Sequence, residues 1–214
     1  LAISRSPENS KYLLPYKWGN YEKLKFNQLD LNKHTLEIIE AIKEFDAQYV
    51  VNFAAQAMVA ESWDNPVHWY QTNVLANVRL HDQLRKFDSL CKYLHVSTPE
   101  VYGSCSGLVQ EDHPFSPSTP YATSRASCDM HLINFHENYD FPVVFTRAAN
   151  VYGPGQQLYR IIPRTILFIK TGRKLQLHGG GKSLRSFIHI SDVARATLEI
   201  LTKASSPEAY HLST

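Results

Sequence analysis

A chain of 214 residues, 43% hydrophobic and 20% charged, is long enough to bury a sizeable core and has the balance of an ordinary globular domain. Its formal net charge of +2, with no long basic run, argues against nucleic acid or an acidic membrane surface as partner. Cys91, Cys105 and Cys128 form no CxxC pair, which argues against a disulfide framework or Cys-rich zinc site and for a reducing, cytoplasmic setting. No apolar run approaches the ~20 residues of a membrane span, and the start, LAISRSPE, has no basic region followed by an apolar core, so no signal peptide is expected.

Leu1 to Ser4 is a short apolar strand that turns polar at Arg5, Ser6 and Pro7. Residues 8–27 read as irregular, with Pro15 and Gly19 as breakers, and Leu29-Asp30-Leu31 as a strand end. Asn32 is placed to cap a helix whose Leu36, Ile39, Ile42 and Phe45 recur at helical spacing. Tyr49 to Ala55 is β-branched and apolar, as a strand covered on both faces should be. A long helical pattern follows Asn65-Pro66 to about Phe87. Tyr93 to Ser97 is the next strand, and Pro120, suited to a first turn, opens a helix to about Tyr139. A strand at Pro142–Thr146, a helix over about Arg160–Lys170, short strands near Leu175 and Phe187, and a helix capped by Ser191 complete the pattern.

Alternating strands and helices specify an α/β fold: a Rossmann-type doubly wound parallel sheet built from right-handed crossovers. Ligands of such sheets bind outside the carboxyl ends of the strands. Those ends carry Arg5, Asp30, Ala54-Ala55-Gln56, Thr98-Pro99-Glu100 and Ala149-Asn150, small and polar residues where a ligand would lie.

Tyr121 and Arg125 stand four apart on the predicted helix and so share a face. A fixed positive charge beside a phenol, whose free pKa is ~10, favours the phenolate. Such a tyrosine can take a proton from a sugar hydroxyl while hydride leaves the same carbon. With 12 tyrosines and 22 Lys plus Arg the pair alone arises by chance; Tyr21-Lys25 is another, without a strand-end partner. What distinguishes Tyr121-Arg125 is STPEVYG upstream, where an extended backbone would point Thr98 and Glu100 to one side. Gly179-Gly180-Gly181-Lys182-Ser183 is no phosphate loop, because residue 176 is Gln and a strand follows. The ten histidines show no HExxH or paired spacing, so no metal site is expected; His178 and His189 read as lining or core residues.

NFAAQAMVAES, TNVLANVRL, STPEVYG, YATSR, TRAANVYGPGQ, RIIPRTI and LQLHGGGKSLRSFIHISDVARA follow one another in an order and spacing that resembles the extended short-chain dehydrogenase/reductases acting on nucleotide-diphosphate sugars, and within them the GDP-mannose and dTDP-glucose 4,6-dehydratases. The resemblance covers nearly the whole chain. It implies an NAD(P)-binding Rossmann portion over 1–150 and part of a substrate-binding portion over 151–214. It also implies an enzyme, a lyase, that oxidises carbon 4, eliminates water across carbons 5 and 6 and returns hydride to carbon 6. Tyr121 matches the family's base, Thr98 the hydroxyl that polarises the 4-oxygen, and Glu100 the carboxylate that removes the carbon 5 proton. Epimerases usually lack that carboxylate. Arg125 stands where the family has Lys, and being planar and always charged it would meet the nicotinamide ribose differently. Pro99 replaces the Asp that protonates the leaving hydroxyl in the dTDP-glucose enzymes, and the Gly-rich first turn expected ahead of Leu1 is absent.

By the same resemblance Asp30 and Leu31 meet adenine, while Ala54, Ala55, Gln56, Ser97, Tyr121 and Arg125 line the cofactor groove. Arg5, at a turn without an acid, suits the 2′-phosphate of NADP; NAD is not excluded. Asn150, Arg160 and Arg185 would hold the nucleotide sugar, the arginines by gripping phosphate oxygens bidentately. The resemblance implies a homodimer paired through the helices at Pro66–Phe87 and Pro120–Tyr139. A UDP-glucuronate decarboxylase or a 4-epimerase are the rival enzyme readings. A catalytically impaired cofactor- or sugar-binding protein is the rival of another class.

Overall fold

The computed structural model describes residues 1–19, 23–181 and 184–214; Tyr21 of the chance pair and Lys182-Ser183 of the rejected phosphate loop lie outside them. Strand β1 (Ala2–Ser4) is followed by two 3-10 turns, Lys11–Leu13 and Pro15–Lys17, and by β2 (Phe26–Gln28). Helix α1 (Thr35–Glu44) and β3 (Tyr49–Asn52) follow, then α2 (Glu61–Asp64), α3 (Pro66–Tyr70), a π-helical turn over Gln71–Ala76 and α4 (Asn77–Leu84). The central elements are β4 (Lys92–Val96), a 3-10 turn Pro99–Tyr102, α5 (Pro120–Tyr139) and β5 (Val143–Ala148). After them come β6 (Asn150–Tyr152), α6 (Ile161–Lys170), β7 (Phe187–His189), α7 (Ile190–Lys203) and β8 (Ala209–Leu212).

All pairings are parallel: β1 with β2, β3-β4-β5-β8 in that order, and β6 with β7. The sheet is covered on both faces, as parallel sheets require. Tyr93, Val143 and Phe145 face one core with Ile38 and Ile42 of α1, Leu84 of α4 and Leu132 of α5. Leu94 and Val144 face the other, with Val193, Ile200 and Leu201 of α7. Each of β4 and β5 thus alternates its side chains between two apolar layers. The α/β, doubly wound expectation is met.

Local differences have local causes. The second strand forms at Phe26–Gln28, earlier than Leu29–Leu31, and β3 stops at Asn52, where the Asn52 Oδ1 accepts the Ala54 amide (2.9 Å) and turns the chain. The α1 cap position is His34, two residues beyond Asn32, whose side-chain amide donates to Thr72 Oγ1 (3.1 Å). His189 caps α7 by accepting from the Ser191 amide (3.2 Å). The strand expected near Leu175 does not form. By contrast, Thr119 caps α5 through the Ala122 amide (3.1 Å), with Pro120 in the first turn, a device worth about 1 kcal/mol.

Candidate active site

Four residues converge at the carboxyl end of β4. Thr98 is extended and caps the turn Pro99–Tyr102. Its hydroxyl donates to Glu100 Oε2 (3.0 Å) and accepts from the Glu100 amide (3.3 Å). Glu100 is therefore brought to Thr98 by a tight turn and not by an extended run. Across from them Tyr121 sits in the first turn of α5, 8% exposed, its phenol near enough to the Thr98 hydroxyl for that group to favour the phenolate.

Arg125 lies one turn further along α5 and is 1% exposed. Its Nη2 donates to His95 Nε2 (2.9 Å) and to the Val96 carbonyl, while Nη1 is buried without a partner. The guanidinium is thus docked on β4. Its field lowers the Tyr121 pKa, but burial raises it more, so the phenol stands above its ordinary value. The sequence argument had the sign the other way because it counted the charge without the desolvation.

Beneath this group lies a buried charge network. Asp129 Oδ2 accepts from Ser97 Oγ (2.7 Å) and from Arg147 Nη2 (3.1 Å). Burial raises the Asp129 carboxyl despite the opposing pull of Arg147 and Arg125. The Ser97 hydroxyl is committed inward, so a cofactor could meet Ser97 only through its backbone. Arg147 also donates to the Tyr102 hydroxyl, which contacts His211 Nε2 (2.8 Å).

His81, His95 and Cys128 also meet here, their donor atoms all within 4.8 Å of one another, a cluster that spacing along the chain did not reveal. The Arg125 guanidinium already donates to His95 Nε2, and a metal ion would add a second buried positive charge beside it. Burial also holds the Cys128 thiol up at about 12. The three are packed core. Burial, then nearby positive charge, holds His81 and His95 well below the ordinary imidazole value of 6.5. Below pH 6.5 the unfolded chain therefore takes up protons that the folded chain refuses, and stability falls as pH drops. At about 1.4 kcal/mol per unit per histidine, the pair should cost roughly 2–3 kcal/mol between pH 7.5 and 5.5. Asp129 acts in the opposite sense, its penalty being relieved on acidification. Denaturant unfolding at the two pH values checks this: equal stabilities would refute it, and His81→Phe should halve the loss.

A cavity of about 510 Å³ lies between β1 and β3, and its wall includes Arg5, Asp30, Leu31, Ala54, Ala55 and Gln56. That is the size of a ligand pocket. The small side chains of Ala54 and Ala55 leave room for a dinucleotide. Asp30 is partly occupied, its carboxylate accepting the Asn32 amide (2.9 Å), which is the turn role its position also allows. The residues fit the adenosine side of such a cofactor. A G-x-G-x-x-G run for the pyrophosphate is not in the sequence.

The sequence profile of the NAD dependent epimerase/dehydratase family matches residues 2–213. The chain belongs to that family. It is 36% identical over 203 residues to a dTDP-D-glucose 4,6-dehydratase of Mus musculus, covering 92% of this chain and 55% of the relative. A dTDP-glucose 4,6-dehydratase from Streptomyces venezuelae, solved with NAD and TYD bound, superposes with a TM-score of 0.81 at 30% identity, covering 89% of this chain and 58% of that one. A UDP-glucuronic acid 4-epimerase from Bacillus cereus, solved with UDP-glucuronic acid and NAD, gives 0.85 at 26% identity, covering 99% and 68%. The chain thus spans little more than half the length of the dehydratases it matches.

Of the residues expected on the substrate side, Asn150 lies beside the strand that follows Arg185, with no side-chain contact to Arg185 among the described residues. β6 pairs with β7, and Asn150 Nδ2 donates to the Ser186 carbonyl (3.1 Å). Arg160, exposed at the start of α6, stacks on Tyr159 and reaches Met58 instead. Sequence reasoning missed Asn73. It is fully buried in the π-helical turn, accepts from the Gln56 amide (2.8 Å), and donates to the Gln56 carbonyl (3.0 Å) and to Ser124 Oγ (2.9 Å). Asn73 therefore ties the cavity wall to the helix of Tyr121. The signal was present: an asparagine inside an apolar helical run must find partners, and π-turns recur at functional sites.

Proposed function

We propose that the protein is a nucleotide-sugar 4,6-dehydratase. The observation that carries this is the Thr98–Glu100 hydrogen bond of 3.0 Å beside the buried Tyr121 phenol. A carboxylate held there has no task in a 4-epimerase, whereas a dehydratase needs a base for carbon 5. Tyr121 takes the proton of the sugar 4-hydroxyl, and Thr98 donates to the same oxygen. Glu100, at the rim, removes the carbon 5 proton once the 4-keto group has acidified it. Nicotinamide dinucleotide, when bound, supplies the hydride acceptor and donor. Arg5, Asp30, Leu31 and Ala54 to Gln56 would hold its adenosine side, with Arg5 favouring NADP, although the structural neighbours named above carry NAD. Residues 1–150 would serve the cofactor, and 151–214, through Asn150, Arg160 and Arg185, the nucleotide sugar. Exposed Val67, Tyr70 and Met130 on α3 and α5 support a homodimer, which a monomer in sizing at micromolar concentration would contradict.

One observation favours an impaired binding protein instead: Arg125 is spent on His95 and Val96. The test is incubation with dTDP-glucose and either cofactor, expected to yield the 4-keto-6-deoxy product. Appearance of an epimer, or carbon dioxide release from a UDP-glucuronate substrate, overturns the dehydratase. Arg125→Lys, a slimmer cation without the fork that grips β4, is expected to raise turnover about tenfold, equivalent to about 1.4 kcal/mol. No gain would mean that the docked guanidinium is not what limits the reaction.

A further inference from the structure

Ala54 to Gln56, in the wall of the cavity, belong to no helix or strand, yet side chains hold three of their backbone groups. The Ala54 amide donates to Asn52 Oδ1 (2.9 Å). The Gln56 amide donates to Asn73 Oδ1 (2.8 Å), and the Gln56 carbonyl accepts from Asn73 Nδ2 (3.0 Å). Between these anchors the Ala55 amide and carbonyl meet no protein group among the described residues, which leaves them for a ligand. A third asparagine joins the other two. Asn77 Oδ1 accepts from Asn52 Nδ2 (2.6 Å), and Asn77 Nδ2 donates to the carbonyls of Thr72 (2.9 Å) and Asn73 (3.2 Å). Thr72 is itself in the cavity wall. All three asparagines are buried, where an amide must present its oxygen to donors and its nitrogen to acceptors.

Asn77 is the fixed point of this set. Its nitrogen faces two backbone carbonyls, so its oxygen faces Asn52, and the Asn52 oxygen is then left to face Ala54. Turning over either amide would set oxygen against oxygen. The second hydrogen of Asn52 Nδ2 goes to the Tyr93 hydroxyl (2.6 Å), whose own proton goes to His81 Nε2 (2.8 Å). Direction is thus passed without a break from α4 to the segment that follows β3. We infer that Asn77, which is not in the cavity wall itself, is a positioning residue for the dinucleotide. It acts through Asn52 and Asn73, holding Ala54 and Gln56 on either side of Ala55. This role rests on the proposed reading of the cavity as the dinucleotide's site, and it gives Asn77 no part in the chemistry.

The test measures NAD and NADP binding by titration calorimetry, and amide exchange of the protein alone by nuclear magnetic resonance. Asn77→Leu keeps the branching of the side chain and removes both polar atoms. It is expected to raise the Kd of the preferred dinucleotide about tenfold, in line with buried partners left unmet, and to speed exchange at Ala54 and Gln56. Val193→Ala, in the opposite core layer, lowers stability without touching the set, and should change Kd by less than about twofold. Tyr93→Phe strands one hydrogen of Asn52 and should raise Kd by about threefold. Added to Asn52→Ala it should raise Kd no further, because Tyr93 reaches the segment only through Asn52. If Val193→Ala weakens binding as much as Asn77→Leu, loosening of the core is the cause and Asn77 has no positioning role. The same follows, with no variant needed, if Ala54 and Gln56 exchange in the unaltered protein as fast as unfolded chain. Unaltered protein that binds neither dinucleotide overturns the reading of the cavity. Binding that Asn77→Leu leaves unchanged overturns the role of Asn77 alone.

Discussion

Glu100→Gln is expected to lower formation of the 4-keto-6-deoxy product by about 10²–10⁴-fold, the usual worth of a positioned acid or base, and to stop solvent deuterium from entering carbon 5. Glutamine keeps the shape and can still accept from the Thr98 hydroxyl, so the turn at Pro99–Tyr102 should survive. It cannot take up a proton. Tyr121→Phe should lower turnover over the same range for a different reason. It removes the phenol that meets Thr98 and leaves the sugar 4-hydroxyl without a proton acceptor. Because burial raises the Tyr121 pKa above its ordinary value of 10.0, the wild-type rate should still be climbing at the alkaline end of the accessible range. A flat profile would mean that Tyr121 does not titrate in the rate-limiting step. If Glu100→Gln retained full turnover, the dehydratase reading would end. If it also formed an epimer at an undiminished rate, the 4-epimerase would replace it.

What the sequence disclosed and what it hid divide along physical lines. β4, α5 and the Thr98-Glu100-Tyr121 grouping were legible because each is written in local pattern: a β-branched run, a proline suited to a first turn, and a motif whose parts lie within one crossover. β6 and β8 were not, because three- or four-residue strands are defined by their partners rather than by period. The inward turn of Arg125 was hidden for the same reason, since it depends on His95 being one strand away with a free ring nitrogen. Arg5, Asp30, Leu31 and Ala54 to Gln56 were chosen as strand-end residues, and they do wall one cavity. The rule that strand ends gather ligands needed only the order of elements. Asn73 shows the limit of that rule. Its contacts with Gln56 and Ser124 come from a π-helical turn that no periodicity announces.

Asp129→Ala is expected to destabilise the protein by about 3–5 kcal/mol, the cost of leaving one partner of a buried pair uncompensated. Asp129 is the acid that bonds Arg147, itself 3% exposed, and Ser97. Two guanidiniums, Arg125 and Arg147, lie close enough to lower its pKa. Without the carboxylate, both positive charges remain in the core facing each other's field. Asp129→Asn should recover the packing and the Ser97 contact but not the charge, and so fall between wild type and Ala. The double replacement Asp129→Leu with Arg147→Met should lose less than the sum of the two single changes, since contacting residues are not additive and neither charge is then stranded. Equal losses in the single and double variants would show that Asp129 contributes only volume. Function provides a second reading of the same change. Ser97 precedes Thr98 directly, so releasing its hydroxyl from Asp129 frees the end of β4. Turnover in Asp129→Asn should then fall by more than its unfolded fraction accounts for, because a hydroxyl displaced by even ~1 Å loses much of its effect on a transition state.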